Sequence, residues 1–232
     1  MTTTSRPIAL ITGASRGLGL ALARALADRG WLLVVDARRA EGLAEALPSA
    51  VVVAGDVADP VHREALAASV GVLGGIDLLV NNASDLGPSP LPALARYPID
   101  ALRTVYETDV VAPLALTQLL LPELRASGGT VVNISSDASV EAYAGWGGYG
   151  SAKAALDHLS AVLAVEEPSV RVYAVDPGDM RTEMHQAAFP GEDISDRPEP
   201  ATVVPALLRL LDERPDSARY RASDWAVSEA VS

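Results

Sequence analysis

Six short apolar runs, separated by longer stretches with helical periodicity, make up most of the hydrophobic pattern of the chain. The runs are rich in β-branched residues and apolar on both faces, which is typical of strands buried inside a parallel sheet. They span residues 8–12, 32–36, 51–55, 77–81, 130–135 and 170–175. The stretches between them predict helices over 17–29, 60–73, 98–126, 149–166 and 201–213. Strands that alternate with helices in this way predict an α/β fold built on a doubly wound parallel sheet.

The chain of 232 residues is interpreted as one domain over 1–232, because neither repeats nor a low-complexity linker divide it. We expect its last residues, 223–232, to form a loose tail. The N-terminus lacks the basic and apolar segments of a secretory signal, and the chain has no cysteine. Both observations favour a cytoplasmic location.

The formal net charge of −12 restricts the partners of this protein. An acidic surface repels nucleic acid and anionic lipid, and no apolar run is long enough to span a bilayer. The three histidines, His62, His158 and His185, lack the spacing of a metal site, so no metal is expected. We therefore expect no nucleic acid and no membrane as partner, and any bound anion must be held by a local cluster of donors.

A glycine-rich turn follows the first predicted strand and opens the first helix. Gly13, Gly17 and Gly19 occur there in the sequence TGASRGLG. Glycine allows a tight bend and a close approach of the backbone to a ligand, and the start of a helix suits a pyrophosphate. An ordinary strand-to-helix turn has a similar pattern. The position after the first strand of an α/β fold favours nucleotide binding.

A tyrosine and a lysine four residues apart, Tyr149 and Lys153, begin the helix predicted over 149–166. Residues at this spacing share one face of a helix. A free phenol has a pKa of about 10, and a nearby ammonium group lowers the pKa of a phenol. We therefore expect Tyr149 to act as a general acid/base. Taken alone, the pair also fits an ordinary packed tyrosine and a solvated lysine.

The chain resembles the short-chain dehydrogenase/reductase family through six motifs that occur in the family's order. The resemblance covers residue 8 to about residue 182. It implies a Rossmann-type sheet with helices on both faces, and an enzyme that moves hydride between a nicotinamide cofactor and a carbonyl or alcohol. The motifs are TGASRGLG (12–19), DV (56–57), NNAS (81–84), NISS (133–136), YGSAK (149–153) and DPG (176–178).

This resemblance implies a role for each candidate catalytic residue. Ser136 would hydrogen-bond the substrate oxygen, Tyr149 would exchange a proton with it, and Lys153 would lower the tyrosine pKa and hold the nicotinamide ribose. The family's fourth residue is an asparagine that holds a water molecule in a proton relay. Its position is occupied by Asp109, so we include Asp109 as catalytic and expect an altered relay. Ser84 is a second departure, because the family usually has glycine there.

The end of the second predicted strand bears on the choice between NAD and NADP. An acid there binds the ribose 2′-hydroxyl of NAD, whereas arginine pairs with the 2′-phosphate of NADP. In the family's alignment the acid position falls at Ala37, and Asp36 lies on the other face of the strand. Arg38 and Arg16 stand where relatives that prefer NADP carry basic residues. We therefore predict NADP(H), with NAD(H) as the alternative cofactor and Arg38 as a solvated charge in that case.

The remaining site residues follow from the resemblance. Asp56 and Val57 would contact the adenine, and Pro177 and Gly178 would shape the turn beside the nicotinamide. The cofactor-binding set comprises Gly13, Ser15, Arg16, Gly17, Leu18, Gly19, Arg38, Asp56, Val57, Asn82, Ala83, Tyr149, Lys153, Pro177, Gly178 and Thr182. The substrate wall includes Asp137, Trp146 and Met184, which favours a ketone or aldehyde of modest size.

These observations predict an NADP(H)-dependent oxidoreductase that interconverts a carbonyl and an alcohol with a tyrosine as acid/base. The alternative is a catalytically weak or inactive dinucleotide-binding sensor or scaffold on the same fold, which Asp109 keeps open. A homo-oligomer, either a dimer or a tetramer, is expected. Many members end in a strand that builds the tetramer contact, and here we find only ARYRAS (218–223), to which we assign no strand.

Overall fold

Seven strands pair in parallel into one sheet in the computed structural model, which describes residues 6–226. In chain order the strands are β1 (Ile8–Ile11), β2 (Leu32–Ala37), β3 (Val51–Ala54), β4 (Leu78–Asn81), β5 (Thr130–Ile134), β6 (Arg171–Asp176) and β7 (Ala218–Arg221). Their order across the sheet is β3-β2-β1-β4-β5-β6-β7, so the winding reverses between β1 and β4. The prediction of a doubly wound, Rossmann-type parallel sheet in a single domain is confirmed.

Helices cover both faces of this sheet. They are α1 (Gly17–Asp28), α2 (Leu43–Ala46), α3 (Pro60–Leu73), α4 (Ile99–Tyr106), α5 (Ala112–Ser127), α6 (Gly147–Glu166), α7 (Glu183–Ala188) and α8 (Val204–Glu213). On one face, Leu22 of α1 and Leu207 of α8 pack against strand residues such as Val35. On the other, Leu66 of α3 and Leu120 of α5 pack against the strands. Two covered faces explain why the strands are apolar on both sides.

The helix predicted over 98–126 is interrupted in its middle. One wide, π-type turn, Glu107–Val111, separates α4 from α5. Pro113 follows directly, and it has no N–H to donate to the carbonyl of Asp109 four residues earlier. The wider turn places Asp109 on the inner side of the helix, where its side chain has no solvent exposure.

Three elements differ from the prediction because they are short. The helices α2 and α7, of four and six residues, were not predicted. The strand β7 lies within the sequence ARYRAS and pairs with β6 at the edge of the sheet, and its residues are half-buried or exposed.

Part of the predicted loose tail is packed. Residues Ala222–Trp225 form a short 3₁₀ turn, and the Trp225 ring lies 5.5 Å from that of Tyr220. The guanidinium of Arg209 lies 5.7 Å from the centre of the Trp225 ring. The loose-tail prediction is therefore wrong for 223–225, and its residues 227–232 lie outside the described part of the chain.

Two other kinds of site are absent within residues 6–226. No helix there has both the length and the apolar composition needed to cross a bilayer. No group of three or more His, Asp or Glu side chains in the same range is arranged to hold a metal ion.

A buried amide network joins β4, β5 and α6. The Asn81 side chain donates to Oδ1 of Asn133 at 2.7 Å, and the Asn133 amide donates to Oγ of Ser160 at 2.8 Å. The Ser160 hydroxyl in turn donates to the carbonyl of Leu156 at 2.7 Å. Every member has a partner, so the network fixes α6 against the two strands without leaving a buried polar group unpaired.

Asn133→Ala is expected to lower the free energy of unfolding by about 1–3 kcal/mol, because it leaves the Asn81 amide without its acceptor and the Ser160 hydroxyl oxygen without its donor. Chemical denaturation measures this difference. The matched control is Gln118→Ala on the exposed side of α5, where a change within about 0.5 kcal/mol is expected. Equal effects of the two substitutions would contradict the role of the network.

Candidate active site

A cavity of about 1140 Å³ opens at the carboxyl ends of the strands, where the winding of the sheet reverses. It brings together most of the residues that the sequence analysis selected, from the glycine-rich turn to the proposed substrate wall. The members that line it are Gly13, Ser15, Arg16, Gly17, Leu18, Arg38, Asp56, Val57, Asn82, Ala83, Ser136, Asp137, Trp146, Tyr149, Lys153, Pro177, Gly178, Thr182 and Met184. Gly19 and Asp109 lie behind the lining residues.

The glycine-rich turn is packed so closely that two of its glycines have no room for a side chain. Gly13 has a φ of 66°, and a Cβ there would lie 2.8 Å from the Cα of Ala83. A Cβ on Gly19 would lie 2.5 Å from the side-chain nitrogen of Asn82 and 2.6 Å from the carbonyl oxygen of Gly13. Gly19 therefore supports the turn from beneath, rather than lining the cavity as the predicted cofactor contact.

Side chains that directly follow β1 and β4 hold this turn in place. The Asn82 amide donates to the carbonyl oxygens of Thr12 and Gly13 at 2.8 and 3.1 Å. The Thr12 hydroxyl oxygen accepts from the backbone N–H groups of Asn82 and Ala83, both at 3.0 Å. The predicted contact residues Asn82 and Ala83 are thus also structural parts of the turn.

A buried pair of side chains, Asp36 and His62, supports the turn from the other side. Oδ1 of Asp36 accepts from the N–H of Gly13 at 2.6 Å, and Nε2 of His62 lies 3.0 Å from Oδ2 of Asp36. Both side chains are almost fully buried. Both carboxylate oxygens of Asp36 are therefore engaged within the protein. His62 was not predicted as part of the site, because no spacing in the sequence links it to Asp36.

The two arginines at the end of the cavity predicted to bind the adenosine differ in their partners. Arg38 is exposed and makes no ion pair within residues 6–226. Arg16 forms an exposed ion pair with Glu183 of α7. Asp56 uses one oxygen to accept from the N–H of Ala58 at 2.9 Å. Of the two arginines predicted to bind a phosphate, Arg38 is therefore the one that has no carboxylate partner within the described residues.

The other end of the cavity contains Ser136, Tyr149 and Lys153. The Nζ of Lys153 lies 5.4 Å from the centre of the Tyr149 ring and donates to the carbonyl of Ile134 at 3.0 Å. The Ser136 hydroxyl lies beside the tyrosine and donates to Oδ1 of Asp137 at 3.0 Å. The shared helix face predicted for the tyrosine and the lysine is therefore present.

The glycines around Tyr149 set its depth in the fold. A Cβ on Gly150 would lie 2.6 Å from the carbonyl oxygen of Ala138, and one on Gly148 would lie 2.3 Å from the hydroxyl of Tyr97. Their small size lets the first turn of α6 approach the segment that follows β5. Tyr149 is consequently 8% exposed and Lys153 is 2% exposed.

The expected lowering of the tyrosine pKa is not found for the protein by itself. Burial raises the pKa of the Tyr149 phenol above its ordinary value, and the Asp109 carboxylate raises it further. The Lys153 ammonium and the hydroxyls of Ser84 and Ser136 lower it by less than this. The spacing predicts the contact between the two side chains, but it contains no information about how deeply they are buried.

Lys153 remains charged because of its partners. Burial by itself lowers the pKa of Lys153, but Asp109, Tyr149 and Asp157 outweigh it, so the net pKa is raised. The closest carboxylate oxygen is Oδ2 of Asp109, 3.5 Å from Nζ. Burial raises the pKa of Asp109 in turn, and Lys153 and two hydrogen bonds oppose this rise.

Arg219 of β7 is a further residue that the sequence analysis missed. Its guanidinium donates to the backbone carbonyl of Ser136 at 2.9 Å and to Oδ2 of Asp157 at 3.0 Å. The hydroxyl of Ser139 completes the group by donating to the same oxygen of Asp157 at 2.6 Å. The edge strand thus anchors the backbone of the candidate catalytic serine. A strand predicted over ARYR (218–221) would have placed Arg219 at the edge of the sheet and so indicated this contact.

Aromatic and apolar side chains enclose the proposed substrate end. The Trp146 ring lies 5.8 Å from that of Tyr149 and 5.9 Å from that of Phe189. Met184 packs with this group. Thr182 caps α7 by accepting from the N–H of His185 at 3.1 Å, which gives it a structural role besides lining the cavity.

A doubly wound sheet with a glycine-rich turn at its switch point is the architecture of dinucleotide-binding proteins. The family profile described as short chain dehydrogenase matches residues 7–193. The chain therefore belongs to the short-chain dehydrogenase family of oxidoreductases, whose members use a nicotinamide dinucleotide.

Named relatives and solved structures agree with this assignment. Serine 3-dehydrogenase of Agrobacterium fabrum is 39% identical over 183 residues, which are 75% of this chain and 72% of the relative. Sepiapterin reductase of Mus musculus is 36% identical over 201 residues, covering 78% and 77%. A Shigella flexneri short chain dehydrogenase complexed with NADP is similar with a TM-score of 0.86 and 30% identity, covering 94% of this chain and 97% of that one.

Gly19→Ala is expected to weaken dinucleotide binding at least about tenfold, or about 1.4 kcal/mol, because the new methyl group displaces the Gly13 carbonyl and the Asn82 amide. Titration calorimetry with NADPH and NADH measures it. The matched control is Gly71→Ala in α3, where a Cβ meets nothing within 4 Å. Binding that is unchanged in both variants would contradict the packing argument.

Proposed function

We propose that this protein is an NADP(H)-dependent oxidoreductase that interconverts a small ketone or aldehyde and the corresponding alcohol, with Tyr149 as acid/base. The observation that carries the proposal is the placement of Tyr149, Ser136 and Lys153 at one end of the cavity. The similarity to serine 3-dehydrogenase and sepiapterin reductase supports this class of reaction.

The residues of the cavity fit a nicotinamide dinucleotide. Gly13 and Gly19 leave space that a side chain would fill, and the start of α1 faces the same cavity. Free N–H groups at a helix start favour a pyrophosphate. The bound nicotinamide supplies or accepts the hydride.

Each polar side chain at the substrate end has a definite task. The Ser136 hydroxyl holds the substrate oxygen by a hydrogen bond, which orients the carbonyl. The Tyr149 phenol gives its proton to that oxygen during reduction and takes it back during oxidation. The Lys153 ammonium stabilises the tyrosinate that remains after proton donation. Trp146 and Met184 exclude water from the reacting carbon.

The preference for NADP(H) over NAD(H) is part of the proposal. The acid at the end of β2, Asp36, is used by Gly13 and His62, so it is not available to a ribose hydroxyl. Arg38 next to it is exposed at the rim of the cavity and suits a 2′-phosphate. The structure solved with NADP among the similar proteins supports the same preference.

Tyr149→Phe is expected to reduce kcat by at least about a hundredfold, because the phenyl ring has no proton to donate, while NADPH affinity stays within about twofold. Loss of reduced-nicotinamide absorbance with a panel of ketones and aldehydes measures the rate. Tyr106→Phe, outside the cavity, is the control and retains turnover. Near-normal kcat in Tyr149→Phe would refute the assignment. NADPH binding without turnover by the unmodified protein would favour a dinucleotide-binding sensor.

Arg38→Ala is expected to raise the KM for NADPH about tenfold or more and to leave the KM for NADH nearly unchanged, since one charge-assisted phosphate contact is lost. Steady-state kinetics with both cofactors measures the two values. Arg29→Ala is the control, because Arg29 pairs with Asp212 outside the cavity. A lower KM for NADH than for NADPH in the unmodified protein would overturn the cofactor preference.

A further inference from the structure

The two departures from the family's motifs are in contact with each other. Ser84 stands where the family usually has glycine, and Asp109 stands where it has asparagine. The Ser84 hydroxyl donates to Oδ2 of Asp109 at 2.9 Å. The residues come from different elements, the segment after β4 and the π-type turn between α4 and α5. The two residues therefore form one hydrogen-bonded pair.

Both carboxylate oxygens of Asp109 have partners within the protein. Its Oδ1 accepts from the N–H of Asp85 at 2.7 Å, and its Oδ2 lies 3.5 Å from Nζ of Lys153. The titratable and charged groups that face it are Lys153 and Tyr149 of α6, Asp85 after β4, and Tyr97 before α4. Burial raises the pKa of this carboxyl group above its ordinary value. A carboxyl group of this kind takes up a proton more readily than an exposed one.

Ser84 connects this carboxyl group to the cavity. Its side chain is half-buried and lines the cavity, and its hydroxyl lies beside the Tyr149 phenol. The hydroxyl is both a donor and an acceptor. Ser84 therefore stands between the phenol that would exchange a proton with the substrate and the buried carboxylate of Asp109.

We propose that Ser84 and Asp109 form a proton relay behind Tyr149, in which the serine hydroxyl passes a proton between the phenol and the carboxyl group. The proposal rests on the proposed function. It assigns to two side chains of this protein the task that a water molecule held by asparagine has in the family. Ser84 and Asp109 act through Tyr149 and are positioning residues.

The proton transfers balance both in carbonyl reduction and in alcohol oxidation. During carbonyl reduction, Tyr149 gives its proton to the substrate oxygen as hydride reaches the carbonyl carbon. The Ser84 hydroxyl then gives its proton to the tyrosinate, and protonated Asp109 gives its own to Ser84, which leaves a carboxylate beside Lys153. After the alcohol leaves, a proton from solvent in the cavity returns to Asp109 through Tyr149 and Ser84. Oxidation runs the same transfers backwards.

The kinetic test compares Ser84→Ala, Asp109→Ala and the double variant in the direction of carbonyl reduction, since alanine, unlike asparagine, cannot hold a relay water. Each single variant is expected to lose at least about tenfold in kcat with a smaller change in KM, because one missing member interrupts the path. The double variant is expected to be no slower than the slower single variant. Ser69→Ala in α3, which is half-buried, and Asp100→Ala in α4, which is exposed, are the matched controls, and both residues lie outside the cavity. Losses that multiply in the double variant would overturn the relay.

The dependence of kcat on pH separates a relay from a structural role. Asp109 donates only when it is protonated, so its contribution is present below its pKa and is lost as the pH rises through it. Because the pKa of Asp109 is raised, the fall in kcat lies at higher pH than it would for an ordinary carboxyl group. Asp109→Asn is expected to remove this fall. A profile that keeps it in Asp109→Asn would contradict the proposal.

A titration that needs no turnover distinguishes the relay from the proposed function. The absorbance of tyrosinate, taken as the difference from Tyr149→Phe, follows the Tyr149 phenol alone. Asp109→Asn is expected to lower the pKa of Tyr149, and Ser84→Ala is expected to raise it, since the carboxylate raises that pKa and the hydroxyl lowers it. A Tyr149 titration unchanged in both variants would refute the coupling, whereas an inactive unmodified protein with both shifts present would refute only the proposed reaction.

Discussion

The buried ammonium group of Lys153 is the constraint on which this site depends. A cation with 2% exposure is tolerated only when other groups replace its water. Here the carbonyl of Ile134 at the end of β5 and the carboxylate of Asp109 in the π-type turn provide this replacement, at 3.0 and 3.5 Å. These contacts fix α6 to the sheet and to the helix on its other side. Because Tyr149 is one turn earlier on α6, the same contacts determine where the phenol points.

The π-type turn explains how a carboxylate reaches that cation. A regular helix through residues 107–111 would follow a different path, and Pro113 removes the N–H that would close its hydrogen bond to Asp109. Wide turns of this kind within helices are frequent at functional sites. The network of Asn81, Asn133 and Ser160 holds α6 two turns further along. The contacts of Lys153 are therefore not the only ones that position α6.

Much of the fold and of the site could be predicted from the sequence, because both depend on short-range patterns. Buried parallel strands are apolar throughout, and the spacing of Tyr149 and Lys153 places them on one helix face. The missing parts depend on contacts between distant residues. His62 supports the glycine-rich turn through Asp36, and Arg219 holds Ser136 across 83 positions. β7 escaped prediction because an edge strand lacks the continuous apolar run of an inner strand. The raised pKa of Tyr149 depends on burial, which no local pattern describes.

The protonation state of Tyr149 bears on the direction of the proposed reaction. With its pKa raised above the ordinary value of about 10, the phenol carries its proton near neutral pH. A protonated phenol is ready to donate to a carbonyl oxygen, whereas oxidation of an alcohol requires it first to lose that proton. The Lys153 charge, which favours tyrosinate, is shared with the carboxylate of Asp109. An asparagine at that position would leave the cation to act on the phenol alone. The carboxylate at Asp109 therefore helps to keep the Tyr149 phenol in its protonated form.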